Sequence, residues 1–162
     1  MAKAHIDATD RKILSLLIEN ARMPFLEIAR ECGISGAAIH QRVKKLEDSG
    51  VIIGSRLVVD PRMLGFDVCA IIGIGFTDPK LNLETVEILR QIPEAVEAHF
   101  ITGHFNMLVK IYCRDNNHLM SILFEKILKI PGIAQTETFI SLNESFSRQV
   151  SVSELEIYTD EQ

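Results

Sequence analysis

The stretch EIARECGISGAAIHQRVKKLEDSG, Glu27 to Gly50, decides how the first third of the chain folds. Two apolar patterns of helical period flank the short run Gly33-Ile34-Ser35. Upstream, Leu26, Ile28 and Ala29 offer apolar positions, Pro24 suits a first helical turn, and Gly33 can end the helix in a left-handed conformation. Downstream, Ser35 is placed to cap, Ile39, Val43 and Leu46 share one helical face, and Gly50 stops the run. Two helices joined by a short glycine-containing turn make a helix-turn-helix, whose second helix lies in the major groove with its N-terminal residues nearest the base edges. Removing the apolar face leaves Ser35, Gly36, Ala37, Ala38, His40, Gln41, Arg42, Lys44 and Lys45 pointing outward. The small residues at 36–38 let the helix backbone come close to DNA. His40 and Gln41 have donors and acceptors for base edges, and Arg42, Lys44 and Lys45 can neutralise phosphates.

Working outward, TDRKILSLLIENAR (9–22) opens with a helix start signal and puts Ile13, Leu16 and Leu17 on one face. After the recognition segment, VIIGSRLVVD (51–60) alternates around Gly54 and reads as a hairpin or strand pair, a wing. Residues 1–60 are therefore expected to form a winged-helix-like DNA-binding domain, with a linker at 61–65. From Phe66 the period changes to two: in FDVCAIIGIGFT (66–77), Phe66, Val68, Ala70, Ile72, Ile74 and Phe76 share one strand face. The opposite face, Cys69, Ile71, Gly73 and Gly75, is small and apolar, so helices are expected on one side and another sheet on the other. LNLETVEILRQI (81–92) reads as a helix, AVEAHFITG and FNMLVKIYC as strands, DNNHLMSILFEKILKI (115–130) as a second helix, and IAQTETFISL (133–142) as a last strand. In the second helix Leu119, Ile122, Leu123, Ile127 and Ile130 are expected inside. The order βαββαβ is the ferredoxin-like motif. The fold class is α+β: a helix-turn-helix domain, then a βαββαβ domain over 66–150, then a tail at 151–162.

Composition narrows the functions. The chain has 162 residues, 47% hydrophobic and 24% charged, a globular profile with net charge −5. The charge is uneven: residues 1–60 hold nine Lys/Arg against eight Asp/Glu, and the remainder is acidic, so two modules with different partners are expected. The longest apolar run, Val68 to Phe76, is far shorter than the ~20 residues of a membrane span, so no membrane partner is expected. The opening MAKAHIDATD lacks the apolar core of a signal peptide, and three scattered cysteines without C-x-x-C fit a reducing cytoplasm.

Between the two middle strands, TGHFN (102–106) has the length and composition of a tight connection. Gly103 supplies a permissive backbone and Asn106 tolerates turn geometry. Exposed amides of such a turn can hold a carboxylate, and nearby carbonyls an ammonium, a match for the head group of a free amino acid. The same residues also satisfy a plain hairpin with no ligand. A catalytic or metal role is disfavoured. His99, His104, Cys113 and His118 fall on different elements without a paired ligand spacing, and no nucleophile motif accompanies the histidine, so no enzyme, metal or cofactor is expected.

DRKILSLLIENAR, EIARECGIS, HQRVKKLEDSGVIIG and ITGHFNMLVK, in this order and spacing, resemble the Lrp/AsnC family of transcription regulators. The resemblance covers about residues 5–150, and LGFDV, TGHF and TET are most similar to its asparagine-responsive branch. It implies a regulator that binds double-stranded DNA, forms homodimers that often assemble into tetramers of dimers, and answers to an amino acid, here asparagine. It also implies that Gly103, His104, Phe105 and Asn106 form an effector turn at an interface between dimers, with Thr136 and Thr138 lending hydroxyls. Glu97, His99 and Phe100 are weaker candidates. Two departures stand out: Ser35-Gly36 replaces a common Ser-Pro, and Asn106 replaces a common Asp, which favours a neutral polar ligand. A chromosome-organising protein without an effector is the alternative, but the acidic second half offers no basic track for wrapping DNA.

Overall fold

The computed structural model describes residues 4–78 and 82–152, and most of the tail expected at 151–162 lies outside the described residues. The chain divides into two compact units: one takes in the chain up to Leu57 and the segment from Phe146, the other is Val58–Ser145.

The first unit is built on three helices. α1 (Ala8–Glu19) starts in a capping box, in which Asp7 accepts from the Asp10 N–H and Asp10 accepts from the Asp7 N–H. α2 (Phe25–Cys32) follows Pro24, whose fixed φ suits the entry, and ends at Gly33, left-handed at φ 67°. α3 (Gly36–Asp48) is capped by Ser35, whose hydroxyl accepts from the Ala38 N–H at 3.2 Å. Ile13, Ile28 and Ile39, one from each helix, are fully buried together, with Ala29 and Val43 completing the core. The expected strand pair at 51–60 is absent: these residues form no ladder. Alternation there has nothing to cover it, for Ile53, Leu57 and Val58 are exposed, and a lone hairpin without a packed face is marginal.

The second unit is a four-stranded antiparallel sheet of order β2-β3-β1-β4, with β1 Val68–Phe76, β2 Ala95–Phe100, β3 Met107–Cys113 and β4 Ile133–Ser141. With α4 (Asn82–Arg90) and α5 (Asn116–Ser121) in the crossovers, this is the βαββαβ topology read from the pattern. Alternate residues of β1 and β3 (Ala70, Ile72, Ile74; Met107, Val109, Ile111, Cys113) are fully buried against Leu89, Ile92, Leu119, Ile122, Ile127 and Ile130. The second helix is not uniform as expected. From Ile122 to Ile127 it widens into a π-helix, whose longer turn brings these two residues, five apart, both to full burial. Burial holds the Cys113 thiol up at about 11, aided by the charge of Glu94, so it stays protonated.

The other sheet face differs from expectation. Among the described residues no second sheet covers it; its own side chains do so in part. The Phe105 ring lies where a Cβ on Gly73 would stand, 2.5 Å from the nearest ring carbon, and Gln135 does the same over Gly75 at 2.8 Å. Ile71 and Phe139, register partners on that face, stay open to solvent.

Candidate DNA-reading helix and ligand turn

The helical period of α3 sorts its polar residues into three groups. With Ile39, Val43 and Leu46 facing the core, Ala37, Gln41, Lys44, Lys45 and Asp48 project away from it and are exposed. His40 sits on one flank, its ring edge-on to that of Phe25 at 4.5 Å. Ser35 is occupied as the cap. Gly36 and Ala38 are half-buried, and a Cβ on Gly36 would meet Leu26 at an ordinary 3.5 Å, so glycine is not sterically required there.

Arg42 departs from the outward orientation read from the sequence. It lies on the opposite flank, and its Nη1 donates to Asp7 and to Asp10, both at 2.7 Å. The reason is local: the capping box that starts α1 places two carboxylates beside the middle of α3, and Asp10 is buried to 1%. The Asp10 N–H and then the guanidinium hold the Asp7 carboxyl below its usual value, and Asp7 and Asp10 in turn raise Arg42. The signal was available, since two aspartates three apart at a helix start already form a capping box, but no local rule links them to residue 42.

In the second unit the turn at 101–106 joins β2 to β3. Gly103 is exposed at φ 129°, which a side chain would strain though it has room, and His104 is exposed beside it. The following two residues fasten the turn. Phe105 covers Gly73 and contacts the His104 ring at 4.7 Å. Asn106 donates its N–H to the Ile74 carbonyl, accepts from the Ile101 N–H at its carbonyl, and accepts from the Phe76 N–H through Oδ1 at 2.9 Å. That last bond matters because the β1–β3 pairing ends at Ile74 and Met107, so the Phe76 N–H, on the same edge of β1, has no β3 carbonyl opposite it and takes the Asn106 side chain instead. The structure therefore gives Asn106 a positioning role that the sequence did not disclose.

Thr136 and Thr138 do not join this turn on one face. They pair with Ile74 and Ile72, which point at the helices, whereas Phe105 lies on the opposite side over Gly73. The residues of β4 on Phe105's side are Gln135, Glu137 and Phe139. Glu97 and His99 pair with each other at 3.8 Å on β2, and Phe100 is half exposed. His118 is engaged with Glu94 at 3.3 Å; among the described residues no group of three or more His, Cys, Asp or Glu is placed to hold a metal ion.

A model of winged helix-turn-helix DNA-binding domains matches residues 6–53, and a model of the Lrp/AsnC ligand-binding domain matches residues 69–150. The chain belongs to the Lrp/AsnC family. It is 38% identical over 146 residues to the regulatory protein AsnC of Haemophilus influenzae, covering 90% of this chain and 97% of that one. To the regulator LrpA of Pyrococcus horikoshii it is 36% identical over 130 residues, covering 80% and 92%. The solved structure of E. coli AsnC superposes at a TM-score of 0.84 with 38% identity, covering 90% of this chain and 98% of that one. A Neisseria meningitidis transcriptional regulator, solved as a complex with L-methionine, shares the fold at 0.83 with 23% identity, over 88% and 94%.

As a member of the Lrp/AsnC family, the chain is a transcription regulator with a DNA-binding domain and a ligand-binding domain. No helix of the described residues is long and apolar enough to cross a membrane.

Proposed function

We propose that this regulator reads DNA in a sequence-specific way with α3 and answers to a free amino acid, asparagine, held at the Gly103–Asn106 turn. The observation that carries the ligand reading is the built turn: an exposed Gly103-His104 backbone held rigid by Phe105 over Gly73 and by the three bonds of Asn106. Preorganised amides of this kind bind a carboxylate without an ordering cost at the moment of binding. Because Asn106 Oδ1 is engaged by Phe76, its Nδ2 donors are left to a neutral or anionic ligand group, which suits an amide side chain better than an ammonium. The regulator L-methionine complex in the same fold supports an amino acid as the ligand class.

The protein works as a cytoplasmic homodimer that assembles further into a tetramer of dimers. The exposed Ile71 and Phe139 on the sheet face away from the helices support this, since such a face is closed by a second sheet. The DNA contacts are Lys44, Lys45 and Gln41, with Ser35, Gly36, Ala37 and Ala38 at the approach and His40 at the flank.

A thermal-shift screen of the twenty amino acids tests the ligand reading. Asparagine at about a hundred times its Kd stabilises by about 2.7 kcal/mol and raises the Tm by several degrees. A shift for asparagine no greater than for the other nineteen removes that assignment.

A further inference from the structure

Arg42 is a basic residue in the middle of the helix that reads DNA, yet its charged end faces α1. We infer that Arg42 is a positioning residue: with Asp7 and Asp10 it locks α3 to the start of α1 and sets the angle at which Gln41, Lys44 and Lys45 meet the groove. The inference rests on α3 being the groove-reading helix. Three facts carry it. One guanidinium nitrogen donates to two carboxylates at 2.7 Å each, and one of those carboxylates, on Asp10, is 1% exposed. Both carboxylates are already fixed by each other's backbone through the capping box, so they form a rigid anchor. Around the axis of α3, Gln41 and Lys44 lie about 100° and 160° from Arg42 and Lys45 about 60°, so the side chain that closes the clamp is not the one that points to the groove floor. A charge pair closed this way gives up contact with phosphates and in return fixes a geometry, because a hydrogen-bonded pair with a buried partner has few alternative arrangements.

Positioning and phosphate contact predict opposite signs for one substitution. Asp10→Asn removes a negative charge from the DNA-binding unit, so electrostatics alone tightens binding. A broken clamp instead weakens binding to a target site by about tenfold, as the loss of one base pair's contacts does, while affinity for random-sequence DNA holds or rises. Arg42→Met gives the same loss of discrimination with an unchanged salt slope, whereas a lost phosphate contact would flatten the slope by about 0.9. Arg42→Lys, which keeps the charge but not the fork, recovers discrimination only in part. Binding is measured with the full chain on its own promoter fragment and on random fragments from 50 to 200 mM salt, with circular dichroism on each variant. Asp7→Asn keeps the cap acceptor and provides a milder break should Asp10→Asn unfold. Tighter target binding by both aspartate variants, or a flatter slope for Arg42→Met, overturns the inference. So does a loss on target and random DNA alike that follows the folded fraction. Failure of the parent reading is distinct: Lys44→Ala and Lys45→Ala together would leave both affinities and the salt slope unchanged.

Discussion

The recognition helix and the ligand turn carry function in different parts of the residue. In α3 the helical period divides core from surface, and the exposed side chains of Gln41, Lys44 and Lys45 are the groups proposed to meet DNA. In the turn the side chains of Phe105 and Asn106 point into the fold and fasten it, which leaves the exposed backbone around Gly103 as the surface proposed to meet a ligand. The exposed side chains of α3 can be changed with the loss of one contact each; the turn transmits a change in its supports to every group in it.

The largest effect that sharpens this contrast comes from Gly73→Val. A Cβ there has no room beside the Phe105 ring, so the ring and the turn must shift, at a cost of about 1–3 kcal/mol in urea denaturation, and asparagine binding is lost. Binding that survives the substitution would show that the ligand does not depend on the turn. Asn106 gives a graded pair. Asn106→Leu strips the Phe76 N–H of its acceptor and costs about 1–3 kcal/mol, while Asn106→Asp keeps the acceptor and changes stability by less than about 0.5 kcal/mol. Equal losses for the two would mean that the Phe76 N–H does not need the bond.

A smaller effect is expected from acid. Asp7 is held below the usual carboxylate range by the Asp10 N–H and the Arg42 guanidinium. Burial works to raise Glu94, but its own backbone N–H and the Lys126 ammonium at 3.0 Å hold it low as well. Depressed carboxylates contribute stability that is complete above their unfolded pKa and lost as pH falls through the folded one. The denaturation midpoint should therefore be flat from about pH 7 to pH 5 and fall below about pH 4; a midpoint that rises on acidification would contradict both assignments. The smallest change is Lys45→Ala on α3, which flattens the log–log salt dependence of DNA binding by about 0.9 and leaves urea stability unchanged. An unaltered slope would remove that contact from the groove face.

The same contrast explains what was legible from sequence. The three helices, their caps at Ser35 and Gly33, and the βαββαβ order follow from local period and turn chemistry, and the structure holds them. What local pattern cannot supply is partnership across the chain. Arg42 looks like a surface cation until the carboxylates at 7 and 10 are brought beside it. Thr136 and Thr138 look like pocket residues until the register with Ile74 and Ile72 puts them on the helix side. The alternation at 51–60 looks like a wing because period two reports a strand's geometry but not whether a neighbour exists to pair with it. Asn106 looks like a turn residue and ligand contact, and the Phe76 N–H it satisfies belongs to a strand thirty residues away.

Titration of the full-length protein's own promoter DNA with and without L-asparagine, at fixed salt and with D-asparagine as the control, tests the link between the two regions most directly. An effector that distinguishes two assemblies changes DNA affinity by about five-fold or more, and by linkage DNA changes asparagine affinity by the same factor. That reciprocal shift, absent with D-asparagine and absent in Gly73→Val, is the predicted result. DNA binding that is intact and indifferent to L-asparagine at saturation would contradict it.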